Sequence, residues 1–192
     1  MEPRNILHFT VREDLRKWFE EHHSDEKECW IALKRGSVPV EGRIWYLDAV
    51  EEALCFGWID TTNKIVDGVT LQKFSPRAKR SKWSELNKER CRRLEKLGMM
   101  TDAGRAVLPD MSESGFVINP EIMDTFQKDP VAWENFISFP PLYQRVRIDT
   151  IQRDMKDRDA FERRLRKLIE QSHEGVMFGE WDDYGRLRDY RT

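Results

Sequence analysis

Residues 46–76 read YLDAVEEALCFGWIDTTNKIVDGVTLQKFSP, and this stretch decides the fold of the N-terminal half. Its first part, to Phe56, predicts a helix because its apolar and acidic positions separate onto two faces. The apolar face has Val50, Ala53 and Leu54, and the acidic face has Glu51 and Glu52. Gly57 follows at the position where a left-handed backbone conformation commonly ends a helix. The sequence therefore predicts a helix that stops at a glycine corner.

Two extended runs follow that corner. They comprise residues 58–60 and 71–74, and the Asp-Gly pair at 67–68 lies between them as a good hairpin turn signal. Upstream, the run Cys29–Leu33 is short, apolar and flanked by charged residues, which is typical of a buried strand. Together these strands predict a small, mainly antiparallel sheet.

Helices are predicted on both sides of this sheet. Thr10 and Glu13 have the spacing of a capping box, so we expect a helix from there to about His22. A long basic helix is expected from Ser84 to Leu97, and Thr101 is expected to cap a short helix after it.

The chain changes character after Pro120, since no further strand signal occurs. Prolines that are tolerated in a first helical turn predict helices near 121–127, 131–138 and 141–155. A further helix is expected near 160–171. The predicted fold class is therefore α+β, with an N-terminal lobe and an all-helical C-terminal lobe. The predicted divisions are 1–110 for the α+β lobe, 118–173 for the helical lobe and 174–192 for an aromatic C-terminal tail.

Composition narrows the function classes. The chain has 192 residues and a formal net charge of -2, so no global field draws it toward nucleic acid. The N-terminus has no apolar signal segment and no apolar run is long enough to span a membrane, so we expect a cytoplasmic protein. Three cysteines without metal-ligand spacing predict reduced thiols, and no motif calls for a metal or a cofactor.

Several blocks in the first half resemble one known family. They are DAVEEALCFGWID at 48–60, KFSPR at 73–77, SKWS at 81–84, NKER at 87–90 and MTDAG at 100–104. In this order they resemble the YdeI/OmpD-associated family, also called bacteriocin-protection proteins, over roughly residues 28–105. Residues 120–170 resemble the helical region of that family more weakly. The resemblance implies a stress-response role in protection against bacteriocins or antimicrobial peptides. It carries over no catalytic residue, so it leaves open whether the protein is an enzyme.

A mixed aromatic and ionic set lies within these blocks, and it is the predicted ligand-binding site. Its members are Glu52, Trp58, Asp60, Phe74, Arg77, Trp83 and Asn87. Cations beside aromatic rings suit a small anionic ligand, a peptide or a protein partner. The prediction requires that these side chains line one solvent-reachable hollow.

Two carboxylates suggest an alternative, an uncharacterised enzyme. Glu52 and Asp60 lie on either side of the Gly57 corner and would act as acid and base if they faced one pocket. The simpler interpretation is that Glu52 is solvated or paired with Arg77 and that Asp60 caps a turn. Cys55 is interpreted as a core thiol, because the C-terminal end of a helix disfavours a thiolate.

A second alternative is nucleic-acid binding through the basic helix at 84–97. Residues 77–97 hold nine basic residues, Arg80 among them, against three acidic ones, with Trp83 available for stacking. The net charge of -2 argues against broad nucleic-acid affinity, and a solvated basic helix explains the pattern equally. The aromatic tail suggests docking either on its own lobe or on a second copy in a homodimer.

Overall fold

The computed structural model describes residues 2–79, 81–188 and 190. It has a small mixed sheet with helices in the N-terminal half, and helices alone in the described C-terminal part, which confirms the predicted α+β class. The chain divides into two units. The first comprises residues 1–82 and 90–109, and the second comprises residues 83–89 and 110–192.

Four strands occur in the described chain. They are β1 (Ile6–Leu7), β2 (Cys29–Ala32), β3 (Trp58–Val66) and β4 (Val69–Pro76). The helices of the first half are α1 (Arg12–His22), α2 (Tyr46–Cys55), α3 (Glu85–Lys96) and α4 (Asp102–Arg105). Those of the second half are α5 (Pro120–Phe126), α6 (Pro130–Ser138), α7 (Pro141–Gln152) and α8 (Arg158–His173).

The sheet has the strand order β1-β2-β4-β3. β1 pairs with β2 in parallel, whereas the β2–β4 and β4–β3 pairs are antiparallel. Asp67 and Gly68 both have positive φ, as a two-residue turn between twisted strands requires. The predicted Asp-Gly hairpin is confirmed.

The helix before the hairpin also ends as predicted. Gly57 adopts φ +75°, and a Cβ there would approach the carbonyl oxygen of Ala103 at 2.9 Å. Both the left-handed conformation and the close approach therefore require a glycine. Trp58 follows in the core of the first unit and contacts Trp18 and Phe19 edge to face.

The start of α1 differs from the sequence prediction. The helix begins at Arg12, with Val11 as its N-cap and no side-chain capping bond. Thr10 therefore lies one residue outside the cap and does not form the predicted capping box. Glu13 and Asp14 instead place negative charge in the first turn, where its interaction with the helix dipole stabilises the helix. The predicted end at His22 is confirmed.

Helices α5, α6 and α7 begin at the predicted prolines, and α8 begins at Arg158, two residues before the predicted start. Asn119, Asp129 and Asp157 each accept a hydrogen bond from a backbone amide of the first turn of α5, α6 and α8, respectively. Their apolar faces form one core, centred on residues such as Phe126, Phe136, Tyr143, Phe161 and Leu168.

The C-terminal tail packs on this core. Trp181 is buried and meets Tyr143 edge to face, and Leu187 is also buried. Of the two suggested roles for the tail, docking on its own lobe accounts for these residues. A homodimer through the tail stays a prediction.

Among the residues described, no helix combines the length and the apolar character that crossing a bilayer demands.

Candidate functional site

Trp58, one of the seven predicted site residues, is part of the core. Only 1% of it is exposed, and its indole Nε1 donates a hydrogen bond to the carbonyl oxygen of His23 at 3.1 Å. Its faces are enclosed and its nitrogen has a partner, so Trp58 packs as a core residue, and its contact with a ligand stays a prediction.

Asp60, Phe74 and Arg77 come together at one end of the β3–β4 pair. Asp60 lies directly opposite Phe74, and the Arg77 amide extends the ladder by donating to the Gly57 carbonyl oxygen at 2.9 Å. Phe74 is fully buried, whereas Asp60 is half-buried. Burial lowers the pKa of Arg77, and the nearby Cys91 and Asp60 act in the opposite direction. Three predicted site residues are therefore neighbours.

Tyr46, which the sequence reasoning missed, holds the Asp60 carboxylate. Its hydroxyl donates to Asp60 Oδ2 at 2.6 Å. Burial raises the pKa of Tyr46, and the charge of Asp60 raises it further, while Arg90 and Arg35 oppose the shift. The phenol therefore keeps its proton at neutral pH, and it is a stable donor to the carboxylate.

Arg35 is the second residue that was missed. Its guanidinium stacks on the Tyr46 ring, 4.3 Å from the centroid. Nη2 donates to Gln72 Oε1 at 2.5 Å and to Asn63 Oδ1 at 3.3 Å. Its Nε and Nη1 make no hydrogen bond to any described residue, and the side chain is exposed. Together Arg35, Tyr46, Asp60, Gln72 and Arg77 are called the Asp60 cluster below.

Glu52 is not part of this cluster. Its side chain is 1% exposed and accepts from Arg12 Nε at 2.5 Å and from Arg16 Nη1 at 2.9 Å. It shares no hydrogen bond or ion pair with Asp60 among the described residues. The partners of Glu52 are therefore arginines of α1 rather than Arg77, and its action with Asp60 as an acid–base pair stays a prediction.

Glu52 belongs to an ion network between α1 and α2, which also includes Arg93. Arg12 Nη1 contacts Asp48 at 2.9 Å and Glu51 at 3.0 Å, and Arg93 Nη1 contacts Glu51 at 2.7 Å. Burial alone would lower the pKa of Arg12, but Glu52, Glu51 and Asp48 raise it overall. This α1–α2 ion network, formed by Arg12, Arg16, Asp48, Glu51, Glu52 and Arg93, neutralises carboxylates that the core has buried.

Trp83 and Asn87 lie in the second unit, at the start of α3. Trp83 is half-buried, and the Asn87 amide donates to Ser84 Oγ at 3.1 Å, so Ser84 caps the helix. Whether they share a hollow with Asp60 stays a prediction. Arg80, counted in the basic stretch, lies outside the described residues.

The basic helix α3 uses several of its cations internally. Lys88 pairs with Glu85 at 2.9 Å, Arg93 pairs with the buried Glu51, and only 8% of Arg90 is exposed. A nucleic-acid surface needs cations that reach phosphates from solvent. These contacts give the nucleic-acid alternative no support.

The first unit has a cavity of about 390 Å³ away from the predicted site. It is bounded by β1, the residues that follow β1 to Thr10, and both sides of the β3–β4 turn. Its lining includes Arg43 and Asp67 but none of the seven predicted site residues. Its volume lies within the range of small-molecule pockets.

The three cysteines are buried, as the interpretation of Cys55 as a core thiol expects. Burial raises the pKa of the Cys55 thiol to about 12, with Glu52 adding to the shift. Burial likewise raises the pKa of Cys91 to about 12. Thiols with such values are protonated at neutral pH and are poor nucleophiles. Within residues 2–79, 81–188 and 190, no group of three or more His, Cys, Asp or Glu side chains is arranged to hold a metal ion.

Two family models match the chain. A domain of unknown function, DUF8412, matches residues 7–107, which is just over half of the chain. The family described as "Bacteriocin-protection, YdeI or OmpD-Associated" matches residues 115–175. The resemblance to that family is thus confirmed, but on the C-terminal helices, where the sequence blocks were weaker. No curated protein and no solved structure matches the chain.

Proposed function

The chain belongs to the DUF8412 family, and because its C-terminal region also matches the bacteriocin-protection family, we propose that it is a binding protein of bacteriocin-protection type. The proposed ligand is a peptide or small molecule that carries a carboxylate. The proposed site is the Asp60 cluster in the first unit. We propose the cytoplasm as the place of this activity.

The orientation of Arg35 carries this proposal. Its guanidinium is fixed by stacking on Tyr46 and by its bonds to Gln72 and Asn63. A hydrogen bond from a charged guanidinium to a carboxylate is stronger than one between neutral groups. Because Nε and Nη1 of Arg35 have no partner among the described residues, each can donate to a carboxylate oxygen of the ligand. The side chain is already ordered, so binding would lose less conformational entropy.

Asp60 gives the cluster its second function. Its carboxylate is held by the Tyr46 hydroxyl and lies in the field of Arg77. A ligand that presents an amide or ammonium donor beside its carboxylate would meet Asp60 and Arg35 together. This pairing favours a peptide-like ligand over a simple anion.

The test is calorimetric titration with acetylated peptides that differ only in a free or amidated C-terminus. We expect the free carboxylate to bind and Arg35→Ala to weaken the binding at least about tenfold. Arg43→Ala is the matched control, because Arg43 is also an exposed arginine of the first unit. Equal binding of the free and amidated peptides, or equal loss in both variants, would refute the carboxylate site.

A cellular test addresses the protective role. Bacteria that express the parent protein, Arg35→Ala or Arg43→Ala would be challenged with a bacteriocin in a survival assay. We expect protection by the parent and by Arg43→Ala, and reduced protection by Arg35→Ala at equal protein levels. Survival that is independent of Arg35 would separate the protective role from this site.

A further inference from the structure

Arg147 is a partly buried guanidinium in the second unit, and the described residues give it no counter-charge. No Asp or Glu among the described residues pairs with it, and its Nε is buried without a hydrogen-bond acceptor. Burial lowers the pKa of Arg147, and the nearby Arg164 lowers it further, whereas Tyr143 acts in the opposite direction. A buried cation without a partner is costly, so it calls for an explanation.

Arg145 is a buried arginine of the same helix whose charge is neutralised by carboxylates. In the same unit, Arg145 contacts Glu113 at 2.7 Å, Glu89 at 3.4 Å and Glu85 at 3.5 Å. It lies only two residues before Arg147 on α7. The chain therefore supplies carboxylates to one guanidinium and none, in the described part, to the other.

A second cation increases the imbalance. The Arg147 guanidinium lies 4.3 Å from the centroid of the Phe178 ring, and Lys167 Nζ lies 4.8 Å from the same centroid. Lys167 also has no carboxylate partner in the described chain. An aromatic ring attracts each cation, but two cations beside one ring repel each other unless an anion is present.

The surrounding backbone is shaped around Arg147. Gly179 has φ +77°, and a Cβ at this position would meet Arg147 Nη1 at 2.5 Å. The Phe178 amide donates to the Tyr143 hydroxyl at 3.4 Å. The tail therefore passes close to the guanidinium, and the Tyr143 hydroxyl retains its own proton as a donor.

We propose that Arg147 and Lys167 bind the dianionic phosphate group of a small molecule beside Phe178. Two cations without carboxylates match the charge of a phosphate dianion, and a guanidinium is suited to pair with two of its oxygens. Arg164 contributes less, because it forms an ion pair with Asp154. This site is independent of the carboxylate site at Arg35, which lies in the first unit.

The experiment measures phosphate binding to the full chain. Inorganic phosphate and glycerol phosphate are titrated by calorimetry and thermal shift, with acetate and chloride at matched ionic strength as controls. We expect both phosphates to bind and to raise Tm, and the two controls to do neither. Tighter binding of glycerol phosphate identifies a phosphorylated small molecule as the preferred source over the free ion.

Variants locate the binding. Arg147→Met and Lys167→Met are expected to weaken phosphate binding at least tenfold. Arg166→Met, which removes an exposed cation of α8 that lines a different surface groove, is expected to change it less than twofold. Lys167 is exposed, so its variant tests the site even if Arg147→Met fails to fold. The proposal is overturned if phosphate does not bind to the parent, or if all three variants bind it equally.

Discussion

Two partly buried arginines, Arg12 of the α1–α2 ion network and Arg147 of the second unit, have opposite electrostatic environments. Arg12 meets three carboxylates within 3.0 Å, and these raise its pKa despite its burial. Arg147 meets none in the described chain, and burial lowers its pKa. Carboxylates of the protein itself balance the charge of Arg12, so this network belongs to the fold. No carboxylate among the described residues balances the charge of Arg147, and a bound anion would do so.

Removing Arg12 should have the largest effect. Arg12→Met would leave Asp48, Glu51 and Glu52 close together with less positive charge beside them. We expect the free energy of unfolding to fall by about 3 kcal/mol, as when one member of a buried ion pair is removed. Urea denaturation measures this loss. A change below about 0.5 kcal/mol, the size of a surface effect, would show that the network does not stabilise the fold.

The next test separates a structural from a catalytic role of Glu52. Glu52→Gln keeps the shape but loses the charge that faces Arg12 and Arg16, so we expect a loss of about 2 kcal/mol. Glu20→Gln is the control, because Glu20 pairs with Arg16 at an exposed position. An unchanged unfolding midpoint combined with lost protection would favour the enzyme alternative instead.

Arg147→Met makes the comparison with Arg12 direct, since the substitution is the same. Without phosphate, removing an unpaired buried charge should leave stability unchanged or raise it by about 1 kcal/mol. Thermal and urea unfolding in phosphate-free buffer measure the effect. A loss as large as that of Arg12→Met would mean that Arg147 also serves the fold.

The smallest effect is expected at an ion pair on the sheet. Hydrogen bonds from Lys73, then Trp30, and from the Arg4 amide lower the pKa of Glu28 to about 2. Because the folded-state pKa lies below the ordinary value of about 4.3, this stabilisation is complete above that value and is lost as the pH falls toward 2.

Glu28→Gln should therefore flatten the loss of Tm between about pH 4.5 and pH 2. Thermal unfolding across this range compares the variant with the parent. Parallel curves for the two proteins would indicate that Glu28 does not titrate with folding.

The sequence predicted the elements whose signals are local. The Asp67-Gly68 turn and the Gly57 corner require backbone conformations that few other residues adopt, so the residue type is itself the evidence. The prolines in the first turns of α5, α6 and α7 are local evidence of the same kind, because a helix tolerates proline mainly in its first turn. The Thr10 capping box failed because its spacing is also compatible with a helix that begins further along the chain.

The candidate site was only partly predictable. Asp60, Phe74 and Arg77 were predicted as members of one site because they lie in the sequence blocks, and the hairpin places Asp60 opposite Phe74. Arg35 and Tyr46 were missed, since each lies outside the blocks that carried the motif. Arg35 reaches Gln72 across 37 positions of sequence, and such a contact leaves no local pattern.

By itself the sequence determined the fold class, the presence of most helices and the hairpin, because turn geometry and hydrophobic periodicity act over a few residues. Only the tertiary structure decided the environment of the charges. Glu51 and Glu52 fall on the acidic side of their helix in the sequence, yet both are buried against arginines from distant segments. A buried charge serves the fold when packing places opposite charges of the protein near it, and it is suited to bind a ligand when packing does not.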